Sequence, residues 1–328
     1  VQDGEALQAA FQAAEKRVGK VRPELGAPRA ILEAVRVGLE NSFQAGLERE
    51  RELSGDCMQS PATKSKVYLF FATRETSKLP ELAGVEPLPV ARAGLVGMGS
   101  MGAGIAQAMI IAGLPVVVRG RRESTMEKAT QRIQKSFQRR VDQGKLAPER
   151  AEAMMGLLKT TTSWEQLSEA DFVIESVFED VELKRDVLKR LESVCRPGAI
   201  IATNSSTIPL DTLAEGMQHP ERLVGMHFFN PAHRMPLVEV IRRDGTRPEA
   251  LAATLSLAKR LRKTPVVVKG RTGFLVNRMF GAYQQEAAMV LEEGGRPDAI
   301  DAAMLDFGFP MGPLALGDMA GMDIGVHA

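Results

Sequence analysis

The sequence predicts an α/β protein with a doubly wound parallel sheet of the Rossmann type, preceded by a helical segment and followed by an incomplete all-helical domain. From about residue 90 to residue 270, short apolar runs alternate with helical stretches, which is typical of parallel β-α-β units. A Gly-x-Gly-x-x-Gly spacing follows the first apolar run. Outside this region the apolar residues recur mainly at helical spacing.

Size and composition exclude several classes of protein. A chain of 328 residues is long enough for about two domains. The formal net charge of +1 gives no reason to predict a nucleic-acid partner. No apolar run approaches the roughly 18 residues of a membrane-spanning helix, so no transmembrane segment is predicted. Two cysteines, Cys57 and Cys195, make neither a disulfide framework nor a metal-ligand set, and no metal is predicted.

The first part of the chain reads as helices. Ala6–Val18 and Ala30–Leu53 carry apolar residues on one face, and Val67–Thr73 is a short apolar run. Lys78–Pro89 holds three prolines and a glycine, so we predict a linker over residues 66–89. Because the chain opens on Val1 and stops at Ala328, we expect a fragment of a longer protein.

The elements of the sheet domain, residues 90–270, follow in order. After residue 270 no further strand is predicted, and residues 271–328 form the helical domain. The predicted helices of the sheet domain lie near residues 105–112, 124–143, 181–195 and 248–262. Its predicted strands are Arg92–Val96, Pro115–Arg119, Asp171–Ser176, Ala199–Thr203, Leu223–Phe229, Leu237–Ile241 and Thr264–Lys269.

The glycine turn after the first strand predicts a dinucleotide site. Gly97 permits the tight turn, Gly99 lets a pyrophosphate approach the backbone, and Gly102 lets the helix pack on the strand. The helix that begins with Ser100 and Met101 would direct free N–H groups and its positive dipole end at the phosphates. The alternative is a turn with only a packing role.

His227 and Glu239 are the candidate acid–base pair. His227 lies at the end of a predicted strand, and Glu239 follows on the neighbouring strand, so a connection of twelve residues can bring the two side chains together. An imidazole can take a hydroxyl proton as a hydride leaves, while a carboxylate orients the ring. A buried histidine with a purely structural hydrogen bond remains the alternative.

Two further polar side chains follow predicted strands or open a helix. Ser206 lies in the run Thr203–Thr207, where a hydroxyl can bind a substrate oxygen or cap the helix near Asp211. Asn277 lies on an otherwise apolar helix face, where its amide can donate to a carbonyl oxygen or make a structural hydrogen bond between domains. Both alternatives stay open for each residue.

These motifs together resemble the L-3-hydroxyacyl-CoA dehydrogenase family. Residues 48–74 also resemble the join that follows the enoyl-CoA hydratase part of bifunctional enzymes of peroxisomal β-oxidation, which makes residues 1–65 the helical tail of a crotonase-like domain. The motifs that carry the resemblance are the glycine turn through Ala106, Asn204–Ser206, His227–Pro231, Leu237–Val240, Gly273–Arg278 and Met311–Pro313.

The resemblance implies the activity and the roles of several residues. The implied reaction is oxidation of a (3S)-3-hydroxyacyl-CoA with NAD, in a peroxisome, or in the cytoplasm if the source is bacterial. His227 would be the base with Glu239 as its partner, and Ser206 and Asn277 would bind the substrate. Further implied contacts are those of Glu179 and Lys184 with the nicotinamide ribose and of Ser136 with coenzyme A. A basic residue expected seven positions after Ser136 is Gln143, for which Lys145 is the candidate substitute. The sequence leaves an oligomer open.

One position departs from the dinucleotide pattern. An acid is expected at the end of the second strand, where it accepts a hydrogen bond from the adenosine ribose. Gly120 stands there, between Arg119 and the pair Arg121 and Arg122. Three guanidinium groups can hold a 2′-phosphate, which predicts competition by NADP. Weakened NAD binding and a solvated basic turn are the alternatives.

Two other functions remain as rivals. β-Hydroxyacid dehydrogenases that act on free acids share the glycine turn, but they use a lysine four residues before the asparagine, where this sequence has Gly273. A non-catalytic dinucleotide-binding module is the second rival, favoured by Gly120 and by the incomplete helical domain.

Overall fold

The computed structural model describes residues 4–76 and 78–320. The chain divides after Glu75 into two compact units. Within the described residues, no helix has both the length and the apolar character that crossing a membrane requires.

The first unit consists of helices only. Its longest predicted helix, Ala30–Leu53, is two helices, because the Ser42 hydroxyl accepts a hydrogen bond from the Ala45 N–H at 3.1 Å and caps a new helix start. Two glycines let the second and third helices approach closely, since a Cβ on Gly46 would lie 2.7 Å from the Cα of Gly38. The helices are α1 Gly4–Val18, α2 Ala27–Glu40, α3 Phe43–Gln59 and α4 Pro61–Glu75.

The predicted linker, residues 66–89, is wrong in extent. Residues 66–75 belong to α4, which begins with a proline in its first turn and includes the whole apolar run Val67–Thr73. The remaining part packs on the core of the second unit through the partly buried Leu79, Leu82 and Leu88. The three prolines therefore lie in a segment that packs against this core and that includes one turn of 3-10 helix, Pro80–Leu82.

The second unit is built on one eight-stranded sheet. Its strand order is β3-β2-β1-β4-β5-β6-β7-β8, and every neighbouring pair is parallel except β6 and β7. The doubly wound class is confirmed, with the last two strands, β7 and β8, antiparallel to the other six because the connection after Phe228 is short. The strands are β1 Ala93–Val96, β2 Val116–Arg119, β3 Leu158–Thr161, β4 Phe172–Glu175, β5 Ile200–Thr203, β6 Leu223–Phe228, β7 Leu237–Arg242 and β8 Thr264–Lys269.

Helices cover both faces of this sheet. The central strand β1 is buried at all four residues, as expected of a strand with helices on either side. Strand β3 was missed in the sequence because it lies at the sheet edge and three of its four residues are polar. The helices of the sheet region are α5 Ser100–Ile111, α6 Glu123–Asp142, α7 Pro148–Met155, α8 Val181–Val194, α9 Leu210–Ala214 and α10 Pro248–Arg260.

The last helices carry no strand between them, as predicted. They are α11 Val276–Glu292, α12 Pro297–Phe307 and α13 Pro313–Ala320. Asp301 of α12 accepts hydrogen bonds from the N–H groups of Leu314 and Ala315 at 2.9 and 3.0 Å, and so holds the start of α13.

The strand order explains where a site can form. The chain winds outward from β1 to β3 and then returns to β4 on the other side, which makes the β1–β4 junction a topological switch point. The carboxyl ends of β1, β4, β5 and β6 share one edge of the sheet. Because β7 is antiparallel, its beginning lies at that edge too. Side chains from five strands therefore meet there.

Candidate active site

The glycine turn has the geometry of a dinucleotide cradle. Gly97 has φ +105°, and a Cβ at this residue would lie 2.3 Å from the carbonyl oxygen of Ser176. A Cβ on Gly102 would lie 2.1 Å from the carbonyl oxygen of Gly97. A Cβ on Gly99 would meet nothing within 4 Å, so space is open beside the exposed start of α5 at Ser100. The turn therefore fits a pyrophosphate held by backbone N–H groups.

His227 and Glu239 contact each other in the interior. They lie opposite one another in the antiparallel register of β6 and β7, and His227 Nδ1 is 2.8 Å from Glu239 Oε2. His227 is 6% exposed and Glu239 is fully buried. Because a carboxylate only accepts hydrogen bonds, Nδ1 is the donor in this pair, and Nε2 takes no part in it.

The second oxygen of Glu239 holds the start of α11. Oε1 accepts hydrogen bonds from the N–H groups of Leu275 and Val276, both at 2.9 Å. Burial acts to raise the pKa of Glu239, but the hydrogen bonds from His227 and from these two N–H groups outweigh it and lower the pKa. The side chain is therefore a carboxylate that joins the imidazole to the helical segment.

Two aromatic rings flank the imidazole. The ring centroids of Phe229 and Phe274 lie 4.6 and 5.8 Å from that of His227. Phe274 has φ +49°, a left-handed conformation that non-glycine residues adopt rarely. Its buried ring belongs to the hydrophobic cluster that includes Leu210 and Ile241, which holds the backbone in this conformation and places an apolar surface against the histidine.

Glu179 organises the polar turn after β5. Its Oε1 accepts hydrogen bonds from the Ser205 hydroxyl at 2.5 Å, the Ser206 N–H at 2.8 Å and the Thr207 N–H at 3.1 Å. Burial acts to raise the pKa of Glu179, and the charge of Lys184 and these hydrogen bonds lower it overall. The Ser206 hydroxyl lies 3.3 Å from the same oxygen and does not cap α9, whose N-terminus has no side-chain cap.

Asn277 makes the structural hydrogen bond that was one of its two alternatives. Its Nδ2 donates to the carbonyl oxygen of Ser206 at 2.9 Å, joining α11 to the turn after β5. An amide nitrogen carries two hydrogens, so one donor is left for a ligand. This bond brings Ser206 and Asn277 together.

A buried ion pair lies behind Glu179, and sequence reasoning missed half of it. Lys184 is 1% exposed, with its Nζ 2.8 Å from Glu175 Oε1 and 3.4 Å from Glu179 Oε2. The other oxygen of Glu175 accepts from the Thr203 hydroxyl at 2.7 Å. Lys184 is therefore shielded from solvent, and of the Lys184–Glu179 pair only Glu179, whose side chain is 35% exposed, is accessible to a ligand. The signal for Glu175 was a carboxylate at the end of an otherwise apolar strand.

Ser136 lies in a basic cleft between α5, α6 and the loop after β6. The cleft has a volume of about 750 Å³ and includes Ser100 of the glycine turn. Ser136 accepts a hydrogen bond from Gln107 Nε2 at 3.2 Å. Lys145 Nζ donates a hydrogen bond to Gln143 Oε1 at 2.9 Å, so the lysine lies in the region for which it was predicted. The cleft's other basic residues are Arg132, Arg139, Arg140, His233 and Arg234.

Gly120 lies in a turn that leaves no room for an acid in its present packing. A Cβ on Gly120 would lie 2.6 Å from both Cγ and Sδ of Met126, which is 2% exposed. The Arg119 guanidinium lies 4.2 Å from the centroid of the Trp164 ring and donates to the Thr162 carbonyl at 3.2 Å. Arg119 is therefore engaged, and the methionine fills the space into which a side chain at residue 120 would extend.

Comparison with known proteins gives the family. The family described as "3-hydroxyacyl-CoA dehydrogenase, NAD binding domain" matches residues 92–271, and its C-terminal domain matches residues 273–328. The chain belongs to the 3-hydroxyacyl-CoA dehydrogenase family. This assignment confirms the resemblance, and it agrees with a nicotinamide dinucleotide as the cofactor.

Relatives and solved structures of the family cover the chain to different extents. A glyoxysomal fatty acid β-oxidation multifunctional protein of Brassica napus is 37% identical over 95% of the chain, and the fatty acid oxidation complex subunit alpha of Shewanella loihica is 38% identical over 96%. The chain spans 43% and 45% of their lengths. The crystal structure of (S)-3-hydroxybutyryl-CoA dehydrogenase from Ralstonia eutropha is 38% identical, with a TM-score of 0.70 over 73% of this chain and 85% of that one.

Proposed function

We propose that the chain carries the dehydrogenase part of a multifunctional enzyme of fatty acid β-oxidation, which oxidises (3S)-3-hydroxyacyl-CoA to 3-oxoacyl-CoA. The observation that carries the proposal is the buried His227–Glu239 pair at the edge where the glycine turn lies. When bound, the nicotinamide dinucleotide accepts the hydride. The turn residues Gly97 and Gly99, with the start of α5, would hold its phosphates.

His227 would act as the general base. With Nδ1 bound to Glu239, its Nε2 is the atom that takes the proton of the substrate hydroxyl. The carboxylate of Glu239 then stabilises the imidazolium, as a buried acid does for a catalytic histidine. Phe229 and Phe274 exclude water from the ring and keep it in one orientation.

Ser206 and Asn277 would bind the oxygen side of the substrate. The second N–H of the Asn277 amide can donate to the thioester carbonyl, and the Ser206 hydroxyl can turn from Glu179 to the 3-oxygen. Glu179, with Lys184 behind it, would face the nicotinamide ribose. The buried Glu175–Lys184 pair would keep that carboxylate in place.

The basic cleft would receive coenzyme A. Ser136 and Lys145 are the predicted contacts, and the neighbouring arginines suit the phosphates of the nucleotide. By likeness to the multifunctional relatives, the longer protein would also carry enoyl-CoA hydratase activity, a lyase reaction, and an isomerase activity. Residues 1–65 would be the tail of that crotonase-like part. We propose a peroxisomal location from the plant relatives; the bacterial relative makes the cytoplasm the alternative.

Oxidation of reduced cofactor tests the proposal. Acetoacetyl-CoA is added to the purified chain with NADH or NADPH, and absorbance is followed at 340 nm. Turnover with acetoacetyl-CoA supports the proposal. Turnover with free acetoacetate at the same rate would favour the rival that acts on free acids. The chain alone can be inactive because its helical domain is incomplete, so binding of both cofactor and acetoacetyl-CoA without turnover would favour a non-catalytic module only in a longer protein that completes this domain.

A further inference from the structure

The adenosine end of the proposed cofactor site differs from the pattern expected of an NAD site. The residue at the end of β2 that should accept a hydrogen bond from the ribose 2′-hydroxyl is Gly120, which has no side chain. The space beside its Cα is occupied by Met126 of α6, whose Sδ would lie 2.6 Å from a Cβ there. The site therefore offers no carboxylate at this position, and its packing opposes one.

The charges around this turn are of the opposite sign to the missing acid. Arg121 and Arg122 are exposed, and among the residues that the structure describes neither has an ion-pair partner. Arg119 is held against Trp164 in the same turn. From residue 119 to residue 145 the chain has nine lysines and arginines against three acids, whereas its overall formal charge is +1. The excess of positive charge is thus local to β2 and α6.

We infer that this chain binds the 2′-phosphorylated dinucleotide, NADP(H), in preference to NAD(H), through Arg121 and Arg122. Loss of the ribose carboxylate removes both an attraction for a free 2′-hydroxyl and a repulsion against a 2′-phosphate. Two unpaired guanidinium groups then supply donors that match phosphate oxygens. The inference rests on the proposed function only in that both require a dinucleotide on the Gly97 turn.

One nearby acid offers the opposite outcome. Glu123, in the first turn of α6, is exposed and lies three residues after Gly120. If its carboxylate accepted from the ribose hydroxyls, the site would prefer NAD. Arg121 and Arg122 immediately precede it and would be drawn to a bound 2′-phosphate. The two readings make opposite predictions for a pair of ligands that differ only in that phosphate.

Fluorescence of the single tryptophan provides a measurement that needs no turnover. The guanidinium of Arg119, the residue before Gly120, lies over the ring of Trp164. A ligand bound at this turn should therefore change the surroundings of the tryptophan. The chain is titrated with ADP-ribose and with 2′-phospho-ADP-ribose, which lack the nicotinamide and report the adenosine end alone. We expect the phosphorylated probe to bind at least tenfold more tightly at low salt, with an affinity that falls steeply as salt is added.

Variants assign the preference to named residues. The double variant R121Q/R122Q should weaken the phosphorylated probe at least tenfold and bring the ratio of the two affinities to about one. K16Q/R17Q removes the same charge from exposed positions on α1 and should leave the ratio unchanged. G120A adds a Cβ without a carboxylate, and G120D adds both. Only G120D should make ADP-ribose the tighter-binding probe. The comparison with G120A separates the effect of the carboxylate charge from the effect of steric crowding at Met126.

The inference is overturned if ADP-ribose binds as tightly as 2′-phospho-ADP-ribose, or more tightly. In that case, loss of ADP-ribose binding in the E123Q variant would identify Glu123 as the acceptor of the ribose hydrogen bond. Turnover of acetoacetyl-CoA with NADH but not with NADPH would also overturn it while leaving the proposed function intact. Failure of both probes and both reduced cofactors to bind would reject the dinucleotide site itself, and with it the proposed function.

Discussion

The two ends of the proposed cofactor site differ in the burial and the hydrogen bonding of their polar side chains. At the hydride end, both oxygens of Glu239 accept hydrogen bonds, one from His227 and the other from the N–H groups of Leu275 and Val276, and the side chains of Glu239 and His227 are buried. At the adenosine end, Gly120 has no side chain, and Arg121 and Arg122 lie in solvent. The hydrogen bonds at the hydride end fix the side chains in one arrangement, whereas the exposed arginines at the adenosine end can bind different ligands.

This difference shows which part of such a site tolerates change. A buried carboxylate with three donors cannot be altered without leaving a partner unsatisfied, which costs about 1–3 kcal/mol for each orphaned group. Exposed arginines cost little to gain or lose, since surface charges contribute about 0–1 kcal/mol to stability. Substitutions should therefore affect chemistry strongly at one end and selectivity at the other.

The largest effect should come from the imidazole. Replacing His227 with Asn removes the proposed acid–base group, which in the reducing direction of this assay returns a proton to the substrate oxygen, and should lower kcat by about 10³-fold. The rate is measured at 340 nm with acetoacetyl-CoA. H219N, which removes an exposed histidine from a loop, is the matched control. If H227N retained more than a tenth of the wild-type activity, substitutions at the hydride end would affect activity no more strongly than substitutions at the adenosine end.

The next effect should come from Glu239. In the E239Q variant the amide no longer carries a charge for the imidazolium, so kcat should fall about 10²-fold. The variant also weakens two charge-assisted hydrogen bonds to the start of α11, and chemical denaturation should show a loss of about 1–3 kcal/mol. A variant that lost activity without losing stability would show that the link to α11 contributes nothing to the fold.

The pH dependence of the free energy of unfolding tests the contribution of Glu239 in a second way. The folded-state pKa of Glu239 is lowered, so its contribution to stability is present above the unfolded pKa of about 4.3 and is lost as pH falls through the lower folded pKa. The free energy of unfolding of the wild type should therefore decline more steeply below about pH 4.5 than that of E239Q. Parallel curves for the two proteins would contradict this account.

The smallest effect should come from the basic cleft. Replacing both Arg139 and Arg140 with Gln should raise KM for acetoacetyl-CoA about fivefold, because two exposed phosphate contacts of up to about 1 kcal/mol each are lost. The loss should fall on KM rather than kcat, as expected when ground state and transition state are bound equally. K16Q/R17Q controls for the change in net charge. An unchanged KM would place the coenzyme elsewhere.

Sequence reasoning succeeded where the local chain dictates the structure. The glycine turn was predictable because a positive φ at Gly97 and a close approach at Gly102 admit no other residue. The juxtaposition of His227 and Glu239 was predictable because a short connection between strands forces them to be neighbours. Their assigned roles, and that of Ser136, remain predictions.

The features that were missed depend on contacts distant in sequence. Strand β3 is defined by pairing with β2 at an edge, and its own residues carry no clear strand pattern. Glu175 is explained only by Lys184 and Thr203 arriving from other elements. The crowding of Gly120 by Met126 requires knowing how α6 packs on the sheet. The break between α2 and α3 was visible at Ser42 and was overlooked.

The carboxylate of Glu239 has a consequence for anyone who wishes to redesign this protein. It is hydrogen-bonded both to the imidazole of His227 and to the start of α11, which also supplies Asn277. Shifting that helix in order to change the proposed substrate site will therefore disturb the orientation of the imidazole as well. Substitutions in the later turns of α11, away from the contact with Glu239, are the better first choice for changing the range of substrates.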